Sequence, residues 1–168
     1  MSNMSKAVSR GQALQIAARV ATQPFDLVQF IDKGWSLIAE EHDSRNDALT
    51  EVDFAKVNFD TCFNGGEQCI KGEEKLTRMK ANSNIRLGAA TFMGLWRDYQ
   101  AHKENSVLER LYREQKTTYL EFFGDVLLAP DGKRKVLCLY RGGGGWGWGC
   151  YSLEGDWRAE SLAVSLAS

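Results

Sequence analysis

The run TTYLEFFGDVLLAPDGKRKVLCLYR, residues 117–141, constrains the fold more than any other stretch of the chain. Asp131-Gly132 suits the positive φ angles of a tight hairpin turn, and the flanking segments are rich in β-branched and aromatic residues. With that pair at the centre of the turn, Leu127 is expected opposite Val136, Asp125 opposite Cys138 and Phe123 opposite Tyr140. On the other face Val126 meets Leu137 and Gly124 meets Leu139. Both faces are mainly apolar, so the hairpin needs cover on each side or must wrap around a cavity.

The next stretch, RGGGGWGWGCYSLEGDW (141–157), interleaves glycine with tryptophan. A phosphate-cradling loop presents its N–H groups at a helix start and is usually followed by lysine. Here no lysine follows and the downstream residues are strand formers, which excludes that loop and the dinucleotide fingerprint alike. Extended backbone puts Trp146, Trp148 and Cys150 on one face. Glu154-Gly155-Asp156 then offers a turn to Trp157 and a second hairpin. Indoles beside glycines have open ring faces, able to stack on a sugar, a nucleobase or a cation. The same residues also suit the core of a small curved sheet. Tyr140, Trp146, Trp148, Tyr151 and Trp157 are the candidate ligand-binding residues.

The preceding two-thirds reads as mainly helical. Ala13, Ile16, Ala17 and Val20 repeat at helical spacing and predict a helix over 5–22, ended by Gln23 before Pro24. Although the first 25 residues share the acid-free, serine-containing composition of a transit peptide, they read as this amphipathic helix. PFDLVQFID suggests a second helix stopped at Lys33-Gly34. WSLIAEEH (35–42) and the ambiguous LTEVDFAKVNF (49–59) read as strands of one hairpin across the SRND turn. GEEKLTRMKA (72–81) and IRLGAATFMGLWRDYQAHKE (85–104) read as helices, the second weakened by Gly88 and Gly94. Ser106 caps a further helix, VLERLYREQ. The expectation is a single α+β domain over 1–168, with N-terminal helices packed on a curved antiparallel sheet formed mainly by two C-terminal hairpins.

Composition narrows the partners. Twenty-one basic against 22 acidic side chains leave a net charge of −1, and no basic stripe appears beyond Lys133-Arg134-Lys135 beside the hairpin turn. A nucleic-acid partner is not expected. No window approaches the length of a membrane-spanning helix. The four cysteines lack a C-x-x-C spacing and only two histidines are present, so neither a metal site nor a cofactor is expected and the thiols read as reduced.

Candidate chemistry is sparse. His42, in AEEHD, would share a strand face with Glu40, and Asp125 supplies a further carboxylate; these three are the candidate acid/base groups. His102 reads as a helix-terminal surface residue. Cys150 has no histidine near it in sequence, and no G-x-S-x-G elbow occurs.

The C-terminal run from KVLCLYR through Trp146, Trp148 and the EGDW segment to AVSLAS resembles the ends of small uncharacterised bacterial proteins, some carried as integron gene cassettes. That resemblance covers about a fifth of the chain. It implies a bacterial, cytoplasmic, accessory-genome protein and no particular activity. The leading expectation is a non-enzymatic binding protein whose Trp-rich sheet holds a small molecule or a protein partner. The alternative is a small α+β enzyme of hydrolase or isomerase type using His42, Glu40 and Asp125. A third is a homo-oligomeric interaction protein.

Overall fold

The computed structural model describes residues 18–168 and has an α+β fold. Its strands are β1 (Arg19–Ala21), β2 (Ser36–Leu37), β3 (Glu51–Asp53), β4 (Asn58–Asp60), β5 (Cys69–Lys71), β6 (Ile85–Arg86), β7 (Tyr119–Leu128), β8 (Arg134–Gly142), β9 (Gly145–Ser152), β10 (Asp156–Arg158) and β11 (Leu162–Leu166). Its helices are α1 (Leu27–Phe30), α2 (Gly72–Ala81), α3 (Ala89–His102) and α4 (Val107–Gln115). The main sheet runs β4-β11-β7-β8-β9, with β2 added to β7 and β6 to β11. It is mixed rather than antiparallel throughout, because β11 lies parallel to β7, with Leu162 opposite Leu120.

The doubly apolar hairpin is covered on both faces. Leu120, Phe122, Leu137 and Leu139 pack with Phe92 and Leu95 of α3 and Leu108 and Leu111 of α4. On the other side Phe123, Val136 and Cys138 pack with Leu76 and Met79 of α2 and with Trp157. Burying that much aliphatic and aromatic side chain, at about 1.5–3 kcal/mol each, is the main stabilising contribution. Helix α2 has Glu73 and Glu74 in its first turn and Arg78 and Lys80 in its last, matching the helix dipole. The Ser106 hydroxyl accepts from the Glu109 N–H at the start of α4, as the sequence suggests. The sheet-side face of α2 also carries Lys75, whose ammonium lies 2.9 Å from Glu121 of β7, both side chains fully buried.

Several sequence expectations are corrected. The helix expected over 5–22 lies outside the described residues up to residue 17, and its last turn is instead β1, paired with β3. The 35–59 hairpin does not form: β2 pairs with β7, β3 with β1 and β4 with β11. A 3-10 turn at Ala39–Glu41 replaces the second half of the first expected strand. A turn after Asp53 splits the second, since the Lys56 N–H closes onto the Asp53 carbonyl. The 154–156 turn exists, but β10 pairs with β5 rather than with β9. The glycine run is the tip of the β8–β9 hairpin, where Gly142 faces Gly145.

The register of the 117–141 hairpin is also corrected. Leu127 faces Lys135, one residue from the expected partner, while Glu121 rather than Asp125 faces Cys138. Between the Phe122–Leu137 and Leu127–Lys135 pairs, β7 advances five residues and β8 two. The excess is a large bulge at Phe123–Val126, and bulges re-aim side chains. This one turns Asp125 away from β8.

Candidate active site

The bulge is held by backbone from two other segments. The Gly124 N–H donates to the Leu87 carbonyl at 2.9 Å, and the Gly124 carbonyl accepts from the Asp43 N–H at 2.9 Å. The Val126 carbonyl accepts from the Ile38 N–H, also at 2.9 Å. Gly124 is required here by proximity. A Cβ on it would lie 2.6 Å from both the Gly88 nitrogen and the Leu87 carbonyl carbon. The freed strand segment therefore brings 38–43, 86–89 and 124–125 together.

Asp125 joins these segments through its carboxylate. Its Oδ2 accepts from the Ala89 N–H at 2.7 Å, at the start of α3. The N-cap residue Gly88 has no side chain for that purpose, so a carboxylate from the sheet does the capping, where the helix dipole favours negative charge. A Cβ on Gly88 would collide with Asp125 Oδ2. The other oxygen, Oδ1, lies 2.7 Å from His42 Nδ1.

His42 is set by an anchored loop. Asp43 Oδ2 accepts from the Arg86 N–H at 3.0 Å, and both Asp43 oxygens are bonded by the Arg45 guanidinium. Burial alone would raise the Asp43 pKa, but the Arg45 and backbone bonds hold it down at about 2. The Asn46 amide donates to the carbonyls of Asp43 and Arg86, at 2.8 and 2.7 Å, and its oxygen accepts from the Gly88 N–H at 3.2 Å. The 3-10 turn Ser44–Ala48 then returns Asp47 to the imidazole, its Oδ1 lying 2.9 Å from His42 Nε2. Both ring nitrogens can bond carboxylates only when both carry protons. Burial lowers the His42 pKa, and the bonds to Asp125 and Asp47 outweigh it, so the value is raised above 6.5.

The imidazole, Asp47 and Asp125 border a cavity of about 440 Å³ whose other walls include Phe25, Leu37, Ala39 and Ala89. That is the size and character of a small-molecule site: apolar walls with a few converging polar groups. Asp125 is 8% exposed, His42 32% and Asp47 71%. The outer carboxylate is thus free to swing, while the inner one is fixed by its helix cap.

Two of the three sequence-predicted acid/base groups, His42 and Asp125, meet here. Glu40 does not. It sits in the Ala39–Glu41 3-10 turn, exposed, because the strand that would have aligned it with His42 is absent. Asp47 was not singled out by the sequence. Its signal is the SRND turn, tight enough to fold a carboxylate back on a histidine five residues earlier.

The aromatic candidates divide between the two faces of the sheet. Trp146 is buried against α3 and α4, and Trp148 packs on Phe30 with ring centroids 4.5 Å apart. On the opposite face Tyr140 stacks with Tyr119 at 6.1 Å. Tyr151 meets Tyr119 at 5.4 Å and Trp157 at 6.3 Å. Trp157 itself is 5% exposed and packs on Phe123. The five residues therefore do not form one surface: Tyr151 and Trp157 meet, Trp146 and Trp148 belong to the other side. His102 terminates α3 and pairs with Asp98. Cys150 is a free, half-buried thiol whose pKa burial pushes up to about 11, which leaves it protonated and a poor nucleophile near neutrality.

Among the described residues, no group of three or more His, Cys, Asp or Glu side chains is placed to hold a metal ion, and no helix is long and apolar enough to cross a membrane. No known protein-family model, curated protein or solved structure matches the chain. The resemblance of the C-terminal run accordingly rests on its own residues.

Proposed function

We propose that the protein binds a small, mainly apolar molecule in the His42 cavity and transforms it by proton transfer, as an isomerase or a hydrolase does. The observation that carries this reading is the double use of Asp125. One oxygen is fixed by the start of α3 and the other aligns Nδ1 of a half-exposed histidine at the cavity wall. A carboxylate so fixed sets the imidazole's orientation and tautomer and stabilises its charged form, leaving Nε2 as the working nitrogen. Asp47 shields Nε2 at rest. A substrate oxygen that displaces this exposed carboxylate takes its place as acceptor of the Nε2 proton. The loop is already tied down by Asp43, Asn46 and Arg86, so the His42 contacts are not needed to hold it.

A panel of small esters, lactones and enolisable carbonyl compounds tests the proposal, with hydrolysis read directly and proton abstraction read as solvent deuterium uptake. Turnover that falls about 100-fold or more in His42→Gln, and substantially in Asp125→Asn, supports it. Turnover indifferent to both substitutions, or cavity-bound molecules that leave the His42 titration unchanged, would overturn it.

A further inference from the structure

We propose that β9 is a dimerisation edge: two copies of the chain join their main sheets by antiparallel β9–β9 pairing about a twofold axis at Gly149. β9 ends the main sheet, with no strand beyond it among the described residues. Edge strands are ordinarily guarded by charge, proline, a bulge or brevity. The opposite edge, β4, has 3 residues and ends in Asp60. β9 has 8 residues, none charged and none proline, and it pairs with β8 without a register shift.

The ladder decides which backbone groups are free. The Leu153 N–H donates to the Arg134 carbonyl, which makes Arg134 and Leu153 a hydrogen-bonded pair. Alternation then turns the backbone groups of Gly145, Gly147, Gly149 and Tyr151 toward β8, and those of Trp146, Trp148, Cys150 and Ser152 outward. Some outward groups are satisfied within the chain. The Trp146 N–H donates to the Tyr99 hydroxyl at 3.1 Å, and the Ser152 carbonyl accepts from the Gly155 N–H and the Trp157 indole. The Trp146 carbonyl, the Ser152 N–H and both groups of Trp148 and Cys150 have no partner among the described residues.

These free groups are self-complementary. With Gly149 facing its own counterpart, Trp148 exchanges both bonds with Cys150 of the second copy, and the Ser152 N–H donates to the Trp146 carbonyl. The Trp146 N–H and the Ser152 carbonyl, already satisfied, face only each other. Moving the axis to Trp148 sets the Cys150 carbonyl against the occupied Trp146 N–H. Moving it to Cys150 sets the Trp148 N–H against the occupied Ser152 carbonyl. Side-chain sizes match in the Gly149 register as well. Trp148 lies beside Cys150, Trp146 beside Ser152, and Tyr151, 42% exposed, beside Gly147, so each large ring faces a small residue.

Sedimentation equilibrium of the full chain, from about 1 µM to 1 mM, should show a monomer–dimer equilibrium. Gly149→Glu sets like charges directly opposite each other. A Cβ there meets only the Tyr151 and Tyr140 rings, at 3.5 and 3.7 Å, so the monomer accommodates it. This variant should weaken association about 100-fold or more. Opposite residues outside the hydrogen-bonded pairs have Cα atoms about 4.5 Å apart, within disulfide reach. Gly149→Cys in a Cys69→Ser background should therefore form a covalent dimer under mild oxidation, and Ser152→Cys in that background should not. Where Gly149→Glu does not fold, the crosslinking decides alone. A chain that stays monomeric over the whole range overturns the proposal and leaves the edge to an extended segment of a different protein. So does a dimer untouched by Gly149→Glu, or equal crosslinking through Ser152→Cys. His42→Gln should leave association unchanged, so the dimer and the proton-transfer reading stand or fall separately.

Discussion

Asp125 Oδ1 and His42 Nδ1 lie 2.7 Å apart across 83 residues of sequence, while Asp125 Oδ2 caps the helix that begins at Ala89. One carboxylate thereby links the bulged strand, the start of α3 and the loop carrying the histidine. The folded protein holds His42's proton more tightly than the unfolded chain does, because two carboxylates outweigh the cost of partial burial. Its contribution to stability is therefore full below about 6.5 and fades as pH rises through the raised folded value. Asp125→Asn removes the inner carboxylate, so the His42 pKa should fall. Titration of the imidazole ring protons by NMR checks this. A pKa unmoved by the substitution would contradict the geometry.

The bulge itself is the weakest point of the site against change. Gly124 has no room for a side chain between the backbones of Leu87 and Gly88, and backbone cannot rotate aside as a side chain can. Gly124→Ala should destabilise the protein by about 1–3 kcal/mol or more. Gly132→Ala meets open space but sits at φ +81° in the hairpin turn, so its smaller cost comes from backbone conformation alone. Chemical denaturation of the pair separates these effects. If Gly124→Ala costs no more than Gly132→Ala, the close approach is not what holds the bulge.

The parts of the fold that were legible in the sequence are those whose cause is local. The capping serine at 106, the highly charged 72–81 helix and the shared strand face of Trp146 and Trp148 are each decided within a few residues. Strand partners were not legible. Short strands such as Arg19–Ala21 or Asn58–Asp60 have too few residues to declare a partner, and the long-range sheet decides their pairing. The register of β7 failed for a related reason. The Asp131-Gly132 turn set it nearly right at Leu127, but nothing near Phe123–Val126 announces a bulge except Gly124, whose need for space lies in residues 86–88. That one feature moved Asp125 from beneath the sheet to the histidine. His42 and Asp125 were recognisable as acid/base types; their meeting was a product of tertiary structure.

The tryptophans give a test of core against surface. Trp146 and Trp157 are each 5% exposed, within different clusters on opposite faces of the sheet. Replacing either with alanine should cost about 3–5 kcal/mol. Trp148, half-buried on Phe30, should cost less. Thermal unfolding of the three single variants orders them. Should Trp148→Ala prove the most damaging, the division of indoles between core and periphery described above would be wrong.

The Lys75–Glu121 pair makes the last prediction, and its sign depends on which partner is removed. Both side chains are out of water, so their attraction works against a large desolvation cost. Lys75→Met leaves a carboxyl buried without its counterion and should cost about 3–5 kcal/mol. The double variant Lys75→Met/Glu121→Leu removes both charges from an aromatic surrounding of Phe123 and Trp157. It should recover most of that loss. Burial pushes the Glu121 pKa up to about 7 despite the pull of Lys75, from an ordinary value of 4.5. A carboxyl with a raised folded value binds its proton more tightly in the folded state, so its share of stability is full below 4.5 and is lost as pH rises through about 7. Wild type minus the double variant, measured by denaturant unfolding at several pH values, should therefore decline across that window. A difference that is flat, or that grows with pH, would show that Glu121 is fully ionised throughout and that Lys75 dominates its environment.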